Sequence, residues 1–297
     1  MISRITRAGA MAALAVVALV GCVPVPGEPV PPAGELTDAV AGGERAGDWR
    51  TQIDVVDARV DELLALAARH PSVGGADPGA ADAGVLAFSE PGPTSLGETL
   101  LSGAAAVRVG DGVAEVSAER AIAVFDDGHG ERWHREATLR VPHGAAASIV
   151  LAGIDEHRRP GGGSLEVQAS ASGTATPRGT RYDVELRVSL ELVTRPEDRT
   201  DAGSARRARA QASVTLADVP LSGTALERAV RALAADGALR VQSDDERLHA
   251  MSGTLIADLV SALPNVELLA DAKLLGDAEH APRTASRDPA AHDESGP

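Results

Sequence analysis

Between residues 182 and 192 every second side chain is apolar. Tyr182, Val184, Leu186, Val188, Leu190 and Leu192 alternate with Asp183, Glu185, Arg187, Ser189 and Glu191. This is the period of a strand with one face covered and the other wet, the habit of antiparallel sheets. The same period runs through 165–171 and 208–216, and 113–125, 137–141 and 147–154 are further strand candidates separated by turn-forming DDGHG and PHG. Acidic positions of 182–192 and the arginines of 207–211 are expected to face each other across neighbouring strands, adding about 0.2–1 kcal/mol per pair.

The period is helical on either side of this block. Over 48–70, Trp49, Ile53, Val56, Val60, Leu63 and Ala67 recur at spacings of three and four, and Pro71 ends the run. Thr224 with Glu227 fits a capping box, followed by Leu226, Val230 and Leu233 and closed by Gly237. Ser243 with Glu246 repeats the box before Leu248, Met251, Leu255, Leu259 and Leu263, up to Pro264. The order predicts an α+β fold: an antiparallel sheet of about six strands with an N-terminal helix and two C-terminal helices packed on one face.

The first residues follow another rule. Arg4 and Arg7 precede an uncharged run over 8–20, the length of a signal-peptide core and short of the ~20 apolar residues a membrane span needs. Leu19-Val20-Gly21-Cys22 follows directly. This tetrad resembles the lipobox of bacterial lipoproteins. The resemblance implies cleavage before Cys22, diacylglycerol on its thiol and acylation of the new amino terminus, and two or three acyl chains hold a membrane firmly where one does not. Residues 23–34, VPVPGEPVPPAG, read as an extended tether.

The expected organisation is therefore a signal peptide over 1–21, a lipidated cysteine and tether over 22–44, a globular domain over 45–275 and a disordered tail over 276–297. Gly- and Ala-rich 71–84 marks a candidate sub-boundary. The expected place is the extracytoplasmic side of an outer or cell membrane.

Composition narrows the function. Aromatics are 2% of the chain: Trp49, Phe88, Phe125, Trp133 and Tyr182. The core must be aliphatic, and platforms that stack sugars or bases are disfavoured. Removing Arg4 and Arg7 with the signal leaves 26 basic against 43 acidic side chains, a net charge of −17, which argues against a nucleic-acid partner. Cys22 is the one cysteine. Thiol catalysis and thiolate metal sites in the folded part are thereby excluded.

Candidate chemistry is sparse. DDGHGERWHRE, residues 126–136, gathers Asp126, Asp127, His129, Glu131, His134 and Glu136, which are ligands of the kind zinc takes. It lacks H-E-x-x-H, and a solvated turn is the plainer reading. Asp155, Glu156, His157, Arg158 and Arg159 precede a Gly161–Gly163 run that no helix follows, so the phosphate-loop context is missing. Ser164 and Ser252 stand outside G-x-S-x-G, and Met251 belongs to a core stripe.

The leading expectation is a membrane-anchored envelope lipoprotein acting as a non-catalytic binding or assembly module, without cofactor, with an envelope protein as partner. The closing strand pair and the helix ending IADLVSALP resemble lipoproteins that plug or escort outer-membrane machinery, over about a quarter of the chain. The alternatives are a carrier of lipid or a small apolar ligand, and a metal-dependent hydrolase using His129 and His134.

Overall fold

The computed structural model describes residues 43–73, 84–92, 98–126, 129–158, 163–196 and 205–266. In chain order they form helix α1 (Gly43–Arg69), strands β1 (Ser72–Val73), β2 (Leu86–Pro91), β3 (Glu98–Gly110), β4 (Val113–Asp126), β5 (His129–Pro142), β6 (Ala147–Arg158), β7 (Ser164–Arg178), β8 (Arg181–Arg195) and β9 (Arg206–Val219). Helix α2 (Gly223–Ala235), strand β10 (Arg240–Ser243) and helix α3 (Glu246–Ser261) complete the described chain.

Strands β3 to β9 make one antiparallel meander in which every strand pairs with its neighbours in sequence. On one edge β1 pairs with residues 108–109 of β3 and β2 with residues 100–105, end to end. On the other edge β10 pairs with residues 210–213 of β9. The sheet thus holds ten strands in nine positions, where alternation predicts about six. The α+β class stands and the strand count is corrected. β3 escapes a period-two reading because small residues fill both of its faces, in the run Ser102-Gly103-Ala104-Ala105-Ala106. β1, β2 and β10 are two, six and four residues long, too short for periodicity to register.

The turns follow local chemistry. Asp111 and Gly112 join β3 to β4 with φ of 52° and 73°, the paired positive angles of the two-residue hairpin turn whose twist matches its strands. Residues 74–83 of the candidate sub-boundary lie outside the described residues, and β1 and β2 on either side join the same sheet.

All three helices cover one face. Val56, Val60 and Leu64 of α1 are buried with Leu226 and Val230 of α2 and Leu248, Ile256 and Leu259 of α3, in one cluster with the inward side chains of β3 to β9. Many of those inward residues are small, among them Ala105, Ala118, Ala137, Ala171 and Ala210. Small residues let the helices lie close. A Cβ added at Gly103 would meet Val60 Cγ2 at 2.6 Å, so α1 rests directly on β3.

Both C-terminal helices are capped, at positions that differ from the expected ones. Ser222 caps α2, its hydroxyl accepting from the Ala225 amide, and Thr224 already lies inside the helix. Asp245 caps α3, accepting from the amides of Arg247 and Leu248 at 2.9 Å each. Ser243 instead donates to the Asp245 carbonyl. Gly237 follows α2 with φ of 65°, as its expected closing role requires.

Two buried arginines fasten helices to sheet. Arg120 of β4 and Arg135 of β5 are cross-strand partners on the covered face, each 3% exposed. Arg120 pairs with Asp57 of α1 at 2.7 Å and donates to the Ala262 carbonyl at the end of α3 at 2.9 Å, so one side chain ties both helices to β4. Arg135 forks onto Asp155 of β6 at 2.7 and 2.9 Å, pairs with Asp258 of α3, and lies 5.0 Å from the Trp133 ring centroid. Desolvation raises the Asp155 and Asp57 carboxyls above their ordinary value, with Arg135 and Arg120 respectively opposing the shift.

Candidate functional site on the open face of the sheet

The other face of the sheet carries no helix among the described residues. On β7 to β9 it presents Glu166, Gln168, Ser170, Ser172, Arg187, Ser189, Gln211 and Ser213, a hydrogen-bonding and charged surface. On β3 to β6 it mixes Leu100, Ala104, Ala121, Ala123, Phe125, Val150, Ala152 and Ile154 with polar residues such as Glu115, Ser117, Arg132, Thr138, Arg140 and Glu156. Phe125 is 58%, Val150 55% and Leu100 44% exposed. In a chain with five aromatic residues, an outward Phe125 diagonal to Leu100 is surface of the kind that marks interaction sites.

One polar cluster on this face joins side chains of β4 and β5. Register places Glu119 of β4 directly opposite Glu136 of β5, with His134 two residues before Glu136 on the same face. His134 Nε2 is 3.0 Å from Glu119 Oε1 and 3.5 Å from Glu136 Oε1. His134 is buried, 8% exposed on an otherwise open face, while both glutamates are exposed. Ala104 on β3 and Ala152 on β6 flank the two carboxylates in the same row. Facing like charges disfavour an antiparallel pair, and His134 is the partner that both glutamates share.

No family model, curated protein or solved structure matches the chain. The reading of the site therefore rests on its own geometry.

The histidines singled out by sequence do not converge. His129 opens β5 opposite Asp126, and His134 lies five residues on. Five residues along a strand is about 17 Å with opposite parity. His134 gathers Glu119 and Glu136 instead. Glu136 belongs to the acidic segment of the sequence reading; Glu119 escaped it because only register brings β4 alongside.

Other candidates have structural employment. Asp127 and Arg159 to Gly162 lie outside the described residues, as does Cys22. His157 pairs with Glu131 at 3.0 Å across β5 and β6, and Arg158 with Glu156 at 2.8 Å. Asp155 turns inward to Arg135. Ser164 accepts a contact from Arg195 at 3.4 Å. Ser252 is fully buried and donates to the Leu248 carbonyl one turn back, and Met251 packs against the core. The expected cross-strand charge pair is present: Arg209 faces Glu191, with Nη2 3.4 Å from Oε1.

Proposed function

We propose that the chain is a membrane-anchored envelope lipoprotein held by lipid on Cys22, that its folded part is a non-catalytic binding module, and that a protein partner docks over Leu100 and Phe125 on the helix-free face of the sheet. The observation that carries the reading is the pair Phe125 and Leu100, diagonal neighbours on β4 and β3 that stand 58% and 44% exposed on a face of otherwise mixed polarity. Large apolar side chains held outward side by side are surface of the kind that partners cover. The sequence Leu19-Val20-Gly21-Cys22 supplies the anchor, and no described helix is long and apolar enough to cross a membrane.

A carrier of lipid would need an apolar cavity, whereas the covered face packs its buried side chains and the described helices into one cluster, so the exposed Leu100 and Phe125 pair favours a docking surface.

The reading is tested by fractionation and crosslinking of the full chain in its membranes. Cys22→Ser is expected to leave the protein unprocessed or released by a high-salt wash, and the wild type to give a discrete crosslinked species. A Cys22→Ser protein that stays processed and membrane-bound would refute the anchor, and a wild type that is always alone would refute the binding module.

A further inference from the structure

We propose that Glu119, His134 and Glu136 form a binding site for one divalent cation of the zinc class, with a coordination position left open. The partner-docking reading does not require it, and it can stand or fall separately.

Register argues first. The backbone pairing of β4 with β5 sets Glu119 opposite Glu136 and puts His134 next along the same face, so the three Cβ atoms lie within about 5–8 Å whatever their side chains do. A site on two adjacent strands is held stiffly.

Distance argues second. The three ligand atoms all lie within 4.8 Å of one another, and Nε2 stands 3.0 and 3.5 Å from the two carboxylate oxygens. Ligands about 2.0–2.2 Å from a tetrahedral zinc are separated by about 3.4 Å. Closing the set around an ion requires shifts of tenths of an ångström in the nitrogen–oxygen separations, within the reach of two exposed glutamates.

Charge argues third. Two carboxylates face each other between alanines, and the one group their ion pairs show nearby is an imidazole. A bound dication would neutralise the pair, with His134 as the Nδ1–H tautomer offering the Nε2 lone pair. One nitrogen and two carboxylate oxygens is a donor set for zinc or a neighbouring transition ion, and magnesium, which takes all-oxygen octahedra, fits it poorly. Three protein ligands leave a fourth position that water fills, opening onto the face that carries no helix among the described residues.

The competing account is that His134 is a cationic clamp between two glutamates. The experiment is calorimetric titration of the mature, tag-free protein with Zn2+ alone, repeated with Mg2+ and with Co2+ followed by visible absorption. Saturable binding of one Zn2+ is expected, with a Co2+ spectrum of nitrogen–oxygen ligation and no comparable Mg2+ uptake. Glu119→Gln and Glu136→Gln should each weaken Zn2+ at least ~10-fold, and Glu131→Gln, at the His157 pair, should leave it unchanged. His134→Gln should abolish binding while the far-ultraviolet circular dichroism stays that of the wild type; if it fails to fold, the two exposed glutamate variants still decide. No saturable binding, or binding that Glu119→Gln and Glu136→Gln leave untouched, overturns the site and leaves the clamp.

Discussion

Arg135 spends its charge on two carboxylates and two carbonyls, donating to His134 O at 2.8 Å and Ile154 O at 3.4 Å besides Asp155 and Asp258. Replacing it by alanine leaves Asp155 and Asp258 without their counter-ion. Arg135→Ala is expected to cost about 3 kcal/mol, the low end for a broken buried pair because both aspartates keep some contact with water. Urea unfolding checks it, and a loss under 1 kcal/mol would show that the fork is not what holds α3 to β5 and β6. Gly173 makes a second residue-scale case. A Cβ there would run into the Glu185 carbonyl on β8, a backbone atom that cannot swing aside. Gly173→Ala should lower the melting temperature by several degrees, the consequence of about 1–3 kcal/mol of overpacking, and an unchanged melting temperature would contradict so close an approach of β7 to β8. Neither Arg135 nor Gly173 was legible as structural in the sequence: their roles depend on which residues register places opposite.

Elements were more legible than their ends. Strands β7, β8 and β9 could be read directly because one face buries Val184, Leu186, Leu190 and Val214 while the other stays polar. On β3 both faces carry apolar or small residues, so the pattern carried no alternation. The run of small residues over 102–106 hid the strand. Both C-terminal helices were legible from their apolar stripes, but each cap was displaced, since Ser222 and Asp245 are equally good acceptors two residues from the expected Thr224 and Ser243. Asp245→Ala should cost about 1 kcal/mol and Ser243→Ala less, as measured by thermal unfolding. The reverse order would return the cap of α3 to Ser243. The candidate site was half legible. Sequence proximity nominated His134 and Glu136 and wrongly joined them to His129, whereas Glu119 is 15 positions from His134 and meets it only through the β4–β5 hairpin.

At the scale of the molecule, acidity and shape act together. Burial raises Asp57 and Asp155 above their ordinary 3.8, so the folded state holds those protons more tightly than the unfolded chain. Their ionisation therefore costs stability as pH rises from 3.8 through the raised values, and acidification through that window restores it. Glu166 works the other way: the Gln168 amide and Arg195 lower its pKa below 4.5, and the stability it adds fades as pH falls through that lowered value. The melting temperature should climb as pH falls through the raised Asp57 and Asp155 values toward 3.8, and Asp155→Asn should flatten the climb. A slope identical in Asp155→Asn would assign the effect to general charge repulsion in this acidic chain. Among the described residues the larger architecture is a broad, mostly antiparallel sheet with helices on one face and none on the other. The measurement that tests this account most directly is photo-crosslinking in native membranes from single introduced probes at positions 100, 125, 187 and 213 of the helix-free face. The account predicts one discrete protein adduct from Leu100 and Phe125 and none from Arg187 and Ser213. Equal labelling from all four, or adducts only from positions 187 and 213, would contradict it.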